Sequence, residues 1–347
     1  MWVTVQPRQK FWHHVDAELW PSLTDGGGKA GASTATMKQR TLLGRWRRPS
    51  LVHVMNRLRR APTVTVPDVE HRRGSAAVAV MANGSREDLV ALSPQEGRAV
   101  RFGKPGSYNA EYLDLRRRFE RYLPAPGFSV DEDGAVLIED WCEGPLLSQL
   151  PVEQRLRHAL ALLDGYASLV AGEAVARPES SWQRLPAYLD EVELPTWLRE
   201  PLSDRRVRRL LASPLMAPAQ GDAGVGNVIF DVRDQSPRFI DFGGAKWSPI
   251  WRDPVQLALS TAHDLRDDAD ASQALAAALD RIWAAAGLDE VVGLGYQHWA
   301  ALFGVGRAWP KAIRVARNGG TERRPDSRDF VNRVTQTAGK HLAPNPR

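Results

Sequence analysis

The chain has 347 residues, 43% apolar and 25% charged, a composition expected of an ordinary soluble globular protein with two lobes or two domains. A single cysteine, Cys142, excludes an intrachain disulfide and an all-cysteine zinc site. The net charge of +5 is uneven: residues 1–75 carry 13 Lys and Arg against 5 Asp and Glu, so the remainder is net negative and nucleic acid is not an expected partner.

The apolar runs are too short for a transmembrane helix, and the N-terminus lacks a charged-then-apolar leader pattern, so a cytoplasmic location is expected. Residues 1–75 read as a basic, partly flexible extension, with a Gly/Ser/Thr/Ala-rich linker at 21–37. Residues 38–60 hold eight basic side chains and no acidic one. Within them Leu51, Val54, Met55 and Leu58 follow helical spacing, suited to packing on the body or to contact with a membrane surface or acidic partner.

From Ser75 the pattern turns to short strands. Ser75–Ala82, Leu89–Leu92 and Arg98–Phe102 are separated by the turn signals Asn83-Gly84-Ser85 and Pro94-Gln95-Glu96-Gly97. Tyr108–Tyr122 is predicted helical, with Tyr112, Leu115, Phe119 and Tyr122 on one face, and the Pro124-Ala125-Pro126-Gly127 cluster stops it. A hairpin follows at 128–130 and 135–138. After Gly144 helices dominate: 152–171, 204–212 and 271–286, interrupted by short strands at 227–231 and 238–241.

The most informative stretch runs Gln220-Gly221-Asp222-Ala223-Gly224-Val225-Gly226-Asn227, followed by Phe239-Ile240-Asp241-Phe242-Gly243. An Asp sits in a Gly-rich loop five residues before an Asn that opens a strand, and the returning strand ends in a second Asp. Three oxygen-bearing side chains are thereby gathered at one end of a hairpin. Asn227 and Asp241 suit Mg²⁺, a hard cation that keeps waters and phosphate oxygens in its other positions. Asp222 is then free to hold an acceptor hydroxyl and take its proton.

These residues resemble the aminoglycoside phosphotransferase and choline kinase branch of the protein-kinase-like fold, whose His-Gly-Asp, four residues, Asn and later Ile-Asp-Phe/Leu-Gly have this order and separation. The resemblance covers roughly residues 76–260. It implies a two-lobed α+β fold: residues 76–144 as a small nucleotide-binding lobe with an antiparallel sheet and one helix, residues 145–347 as a mostly helical lobe with the catalytic loop. It implies ATP and Mg²⁺ as cofactors and a small-molecule hydroxyl acceptor of aminoglycoside, sugar or amino-alcohol type. By the same resemblance Asp222 is the catalytic base, and Asn227 and Asp241 are the metal ligands. Ala99 faces adenine and Arg101 the phosphates, Glu111 pairs with Arg101, Gly84 and Ser85 form the phosphate loop, and Asp140 and Cys142 belong to the hinge. Asp253, in Trp251-Arg252-Asp253-Pro254, braces the catalytic loop.

The chain departs from the family in three places: at Gln220, at Arg101, which has Lys104 close by as a rival, and at Glu111, which has a rival in Glu120. Gln220 stands for the usual His, and Arg101 for the usual Lys; the family's ammonium implies that Arg101→Lys is tolerated. A catalytically weak nucleotide-binding or scaffolding relative, acting through its basic N-terminal arm, is the alternative reading. Gly26-Gly27-Gly28-Lys29-Ala30 lacks the Ser/Thr and flanking elements of a phosphate loop. Asp190, Glu191, Glu193, Asp264, Asp267 and Asp268 are acids suited either to drawing a cationic acceptor or to solvated helix faces.

Overall fold

The computed structural model describes residues 97–265, 267–318 and 325–342, with short strands at 2–4, 13–15, 63–65, 78–81 and 87–93. The linker at 21–37, the basic helix pattern at 51–58, and Gly84 and Ser85 lie outside the described residues. The chain divides into two compact units. One comprises Met1–Asp114, Ala125–Gly144 and Ile229–Gly244; the other comprises Leu115–Pro124, Pro145–Val228 and Ala245–Arg347.

In chain order the first unit holds β1 (Trp2–Thr4), β2 (His13–Val15), β3 (Thr63–Thr65), β4 (Val78–Met81), β5 (Glu87–Ser93) and β6 (Arg98–Gly103). Helix α1 (Ala110–Glu120), β7 (Phe128–Val130) and β8 (Val136–Asp140) follow. Its sheet is antiparallel in the order β2-β4-β5-β6-β8-β7. This reproduces the expected succession of three strands, helix, two strands, and adds His13–Val15, from the N-terminal segment, as an edge strand. The register sets Ala99 opposite Glu139 and Arg101 opposite Leu137. Because side chains alternate along a strand, these four residues share one face. All four are buried.

Helix α1 is split between the units. Its first turn, with Glu111, belongs to the first. Its second half packs on α2 (Val152–Glu173) in the larger unit, where Arg118 and Arg121 pair with the buried Glu173. Gly165 and Gly172 on α2 receive Leu123 and Tyr122 so closely that a Cβ at either place would overlap them.

The larger unit continues with β9 (Val175–Ala176), α3 (Leu185–Glu191), α4 (Thr196–Ser203), α5 (Arg205–Ala212) and β10 (Leu215–Ala219). After the hairpin β11 (Val228–Asp231) and β12 (Ser236–Phe239), the chain resumes with β13 (Lys246–Pro249) and α6 (Arg252–Ala262). It ends with α7 (Ala269–Ala285), α8 (Tyr296–Asn318) and α9 (Ser327–Leu342). Helices α2, α6 and α7 pack together, and α8 packs on α6 and α9. Leu163, Leu257, Leu275, Trp283, Trp299 and Phe330 are fully enclosed among them. Burying a Leu or Phe side chain contributes about 1.5–3 kcal/mol, so this apolar seam is the main source of the unit's stability.

β10 is the strand that delivers the Gly221-Asp222 loop. It lies between β13 and β9, and it contains Pro218. A proline lacks the N–H that a doubly paired strand needs. Here β9 reaches only Leu215 and Met216, so at Pro218 the strand is paired on the β13 side alone. The expected strand at 238–241 instead ends at Phe239. Asp241 lies past it with φ of 60°, a left-handed backbone that cannot continue a strand. Among the described residues no helix is long and apolar enough to cross a membrane.

Candidate active site

In the larger unit β10 leads into Gln220, Gly221 and Asp222. Gly221 has φ of 94°, a conformation open to glycine, and the loop reverses there. The fully buried Gln220 accepts a hydrogen bond on Oε1 from the Asp222 N–H at 2.7 Å, so the residue replacing histidine still ties down this loop. Asp253, in the first turn of α6, accepts from the Gly221 N–H at 3.0 Å. Its burial pushes the Asp253 carboxyl up, while the neighbouring Arg252 and the Gly221 N–H pull it down. Arg252 in turn donates to the Gly221 carbonyl at 3.1 Å. The loop is therefore gripped on both its N–H and C=O sides from one helix terminus.

The Asp222 carboxylate is oriented by two residues that the spacing alone did not indicate. Gln256, on α6, donates to its Oδ1 at 2.6 Å, and Arg307, on α8, donates to the same oxygen at 2.7 Å. Oδ2 makes no hydrogen bond among the described residues, and the Asp222 side chain is 42% exposed. Asn227 closes a 3-10 turn, Val225–Asn227, rather than opening the strand. Its Nδ2 donates to the Asp222 carbonyl at 2.8 Å. The amide is fixed by its nitrogen, so its Oδ1 is the end left for a ligand. Gln256 and Arg307 lie 34 and 85 residues beyond Asp222. Only the alternation of α6 and α8 faces, which needs the fold first, brings them to it.

In the smaller unit Arg101 is 6% exposed and Glu139 is 3% exposed. Arg101 donates from Nε to Glu139 Oε2 at 2.5 Å, and its Nη1 lies 3.5 Å from Asp241 Oδ1. The structure thus brings Ala99, Arg101 and Asp241 together and adds Glu139. It does not bring Glu111 to them: Glu111 is exposed and makes no ion pair among the described residues. The physical reason is the register. Glu139 is a diagonal neighbour of Arg101 across β6 and β8, and Ala99, opposite Glu139, is too small to separate them. Lys104 is exposed beyond the end of β6.

Residues 141–143 are anchored from the β11–β12 hairpin. Val232 N–H donates to the Glu143 carbonyl at 2.8 Å, and Arg233 donates to the Trp141 carbonyl. Asp140 is exposed and Cys142 buried. Burial, then the Asp231 carboxylate, pushes the Cys142 thiol up to about 12, so it is an inert packing group rather than a nucleophile.

The Asn227 amide oxygen and the Asp241 carboxylate are each hard-oxygen donors of the kind Mg²⁺ takes. No family model matches the chain, and no curated protein matches it. Solved structures similar to it include a choline/ethanolamine kinase family protein from Mesorhizobium loti, at 14% identity and TM-score 0.47, covering 81% of this chain and 92% of that one. Another is an aminoglycoside phosphotransferase from Streptomyces rimosus in complex with ADP and streptomycin, at 19% identity and TM-score 0.36, covering 62% and 90%. A glucosamine kinase matches at 17% identity and TM-score 0.42, covering 80% and 81%.

Proposed function

We propose that the protein is a kinase-like phosphotransferase that moves the γ-phosphoryl group of ATP to a hydroxyl of a small molecule. The observation that carries this reading is the state of the Asp222 carboxylate. Oδ1 is held by Gln256 and Arg307, Oδ2 is left open, and the backbone beneath is pinned by Gln220, Asp253 and Asn227.

On this reading the acceptor hydroxyl donates to Asp222 Oδ2. Its oxygen forms a bond to the γ-phosphorus as the bond to the ADP leaving oxygen breaks, and the proton passes to the carboxylate. Such catalysis is chiefly positioning and charge neutralisation. Asn227 Oδ1 and the Asp241 carboxylate would hold Mg²⁺, which supplies charge neutralisation on the phosphates. Arg101 keeps its proposed role toward the phosphates. Asp140 and Cys142 keep the proposed place beside adenine, and Gly84 and Ser85 the proposed place beside the phosphates.

The enclosure of Arg101 by Glu139 favours a second reading, a nucleotide-binding relative of low activity. ATP turnover by the full-length chain, with and without Mg²⁺, separates them. Mg²⁺-dependent turnover supports the enzyme; ATP binding with no turnover under either condition supports the relative.

A further inference from the structure

The surface beside Asp222 has a charge of its own. Lys246 opens β13 directly across from Ala219, the last residue of β10 before the Asp222 loop. On α8, Arg307 touches Asp222, and Lys311 and Arg314 follow it at i+4 and i+7, on the same helix face. From Ala300 to Ala316 the exposed positions of α8 are Arg307, Lys311, Arg314 and Val315: three cations and no acid. Lys246, Lys311 and Arg314 form no ion pair among the described residues. The Lys246 ammonium is brought down to about 8, first by desolvation and then by Arg252, Arg307 and Arg314, with Asp253 opposing.

Three of the six acids that would draw a cationic acceptor are in use elsewhere. Asp190 pairs with Arg208, and Asp264 pairs with Arg155 at 2.7 Å. Asp268 caps α7 by accepting from the Ala271 N–H.

Resting on the phosphotransferase reading, we infer that the acceptor is an anion: a hydroxyl compound that also carries a carboxylate or phosphate group. Its hydroxyl lies at Asp222 Oδ2 and its charged group over Lys246, Lys311 and Arg314. Opposite charges a few ångströms apart at a protein surface attract by several kcal/mol before desolvation, and an ammonium-bearing acceptor meets the same amount as repulsion.

The test uses the full-length chain and four probes on one skeleton: glucose, glucosamine, glucuronate and glucose 6-phosphate. Calorimetry without nucleotide reads binding, and labelled ATP with Mg²⁺ reads transfer. The two anions should bind at least about tenfold more tightly than glucose, with glucosamine the weakest. Combined Lys311→Glu and Arg314→Glu should erase that preference while Mg·ATP affinity holds, and Lys246→Ala should reduce it singly. Equal binding of all four, preference for glucosamine, or a loss of Mg·ATP affinity in place of anion affinity overturns the inference. Anion preference without transfer from ATP refutes the phosphotransferase reading and leaves the anion site. Fastest transfer to glucosamine does the reverse.

Discussion

The two units treat their charged groups in opposite ways. Around Asp222, every contact that orients the loop leaves one atom of each functional group unengaged: Oδ2 of Asp222 and Oδ1 of Asn227. Around Arg101, the buried guanidinium meets the buried Glu139 carboxylate through Nε and the part-exposed Asp241 carboxylate through Nη1. The first arrangement is a support built under a reactive group. The second satisfies a buried charge internally, as burial requires. A buried cation already neutralised by protein carboxylates attracts phosphates less than a free one. The contrast sets a loop with open ligand atoms in the larger unit against a paired guanidinium in the smaller.

Stability measurements in denaturant can break that contrast, and the largest effect is expected at Arg101. Arg101→Ala takes the guanidinium away from the buried Glu139 carboxylate and should cost about 3–5 kcal/mol. Arg101→Lys should recover only part of this, because one ammonium cannot reproduce a fork that reaches Glu139 and Asp241 at once. A loss under about 1 kcal/mol in Arg101→Ala would show that the pair is not structural.

Gly144→Ala should cost about 2 kcal/mol or more. Gly144 has φ of 152°, and an added Cβ would overlap the Phe230 carbonyl oxygen where the hinge segment meets the hairpin. Unchanged stability would mean that the hairpin is not held against the hinge as described.

Lys246 sharpens the comparison through pH. Its folded-state value of about 8 lies below the ordinary 10.5, so the folded protein releases this proton first as pH rises. The unfolded chain then holds more protons between those values, and stability should rise with pH from about 8 to 10.5. Lys246→Met should flatten that slope; an unaltered slope would contradict the cationic setting. The smallest effect belongs to Lys104→Ala, within about 0.5 kcal/mol, since this side chain is exposed past the end of β6.

Much of this architecture is legible in the sequence, for identifiable reasons. The strands around α1 announce themselves by β-branched runs between turn signals, and α2 by a long apolar repeat. The Asp222, Asn227, Asp241 spacing is local and survives without any knowledge of packing. Helix α8 was harder to read because Gly304, Gly306 and Pro310 interrupt its propensity. Gly304 lies against Val334 and Ala338 on α9, and Gly306 against Trp251, so the small residues serve close approach. β10 hid behind Pro218. The expected pairing of Glu111 with Arg101 rests on distance along the chain, whereas the observed contact with Glu139 is set by the pairing of β6 with β8. Gln256 and Arg307 carried no local signal at all.

The most direct test of the account is Asp222→Asn, measured on two axes in the full-length protein. The substitution keeps the shape of the side chain and its loop contacts while removing the charge that receives the hydroxyl proton. The account predicts that kcat for Mg²⁺-dependent phosphoryl transfer falls by roughly 10²–10⁴-fold, with Mg·ATP affinity by calorimetry nearly unchanged. Retention of more than about a tenth of wild-type kcat, or a collapse of nucleotide affinity in its place, would contradict the role assigned to this carboxylate.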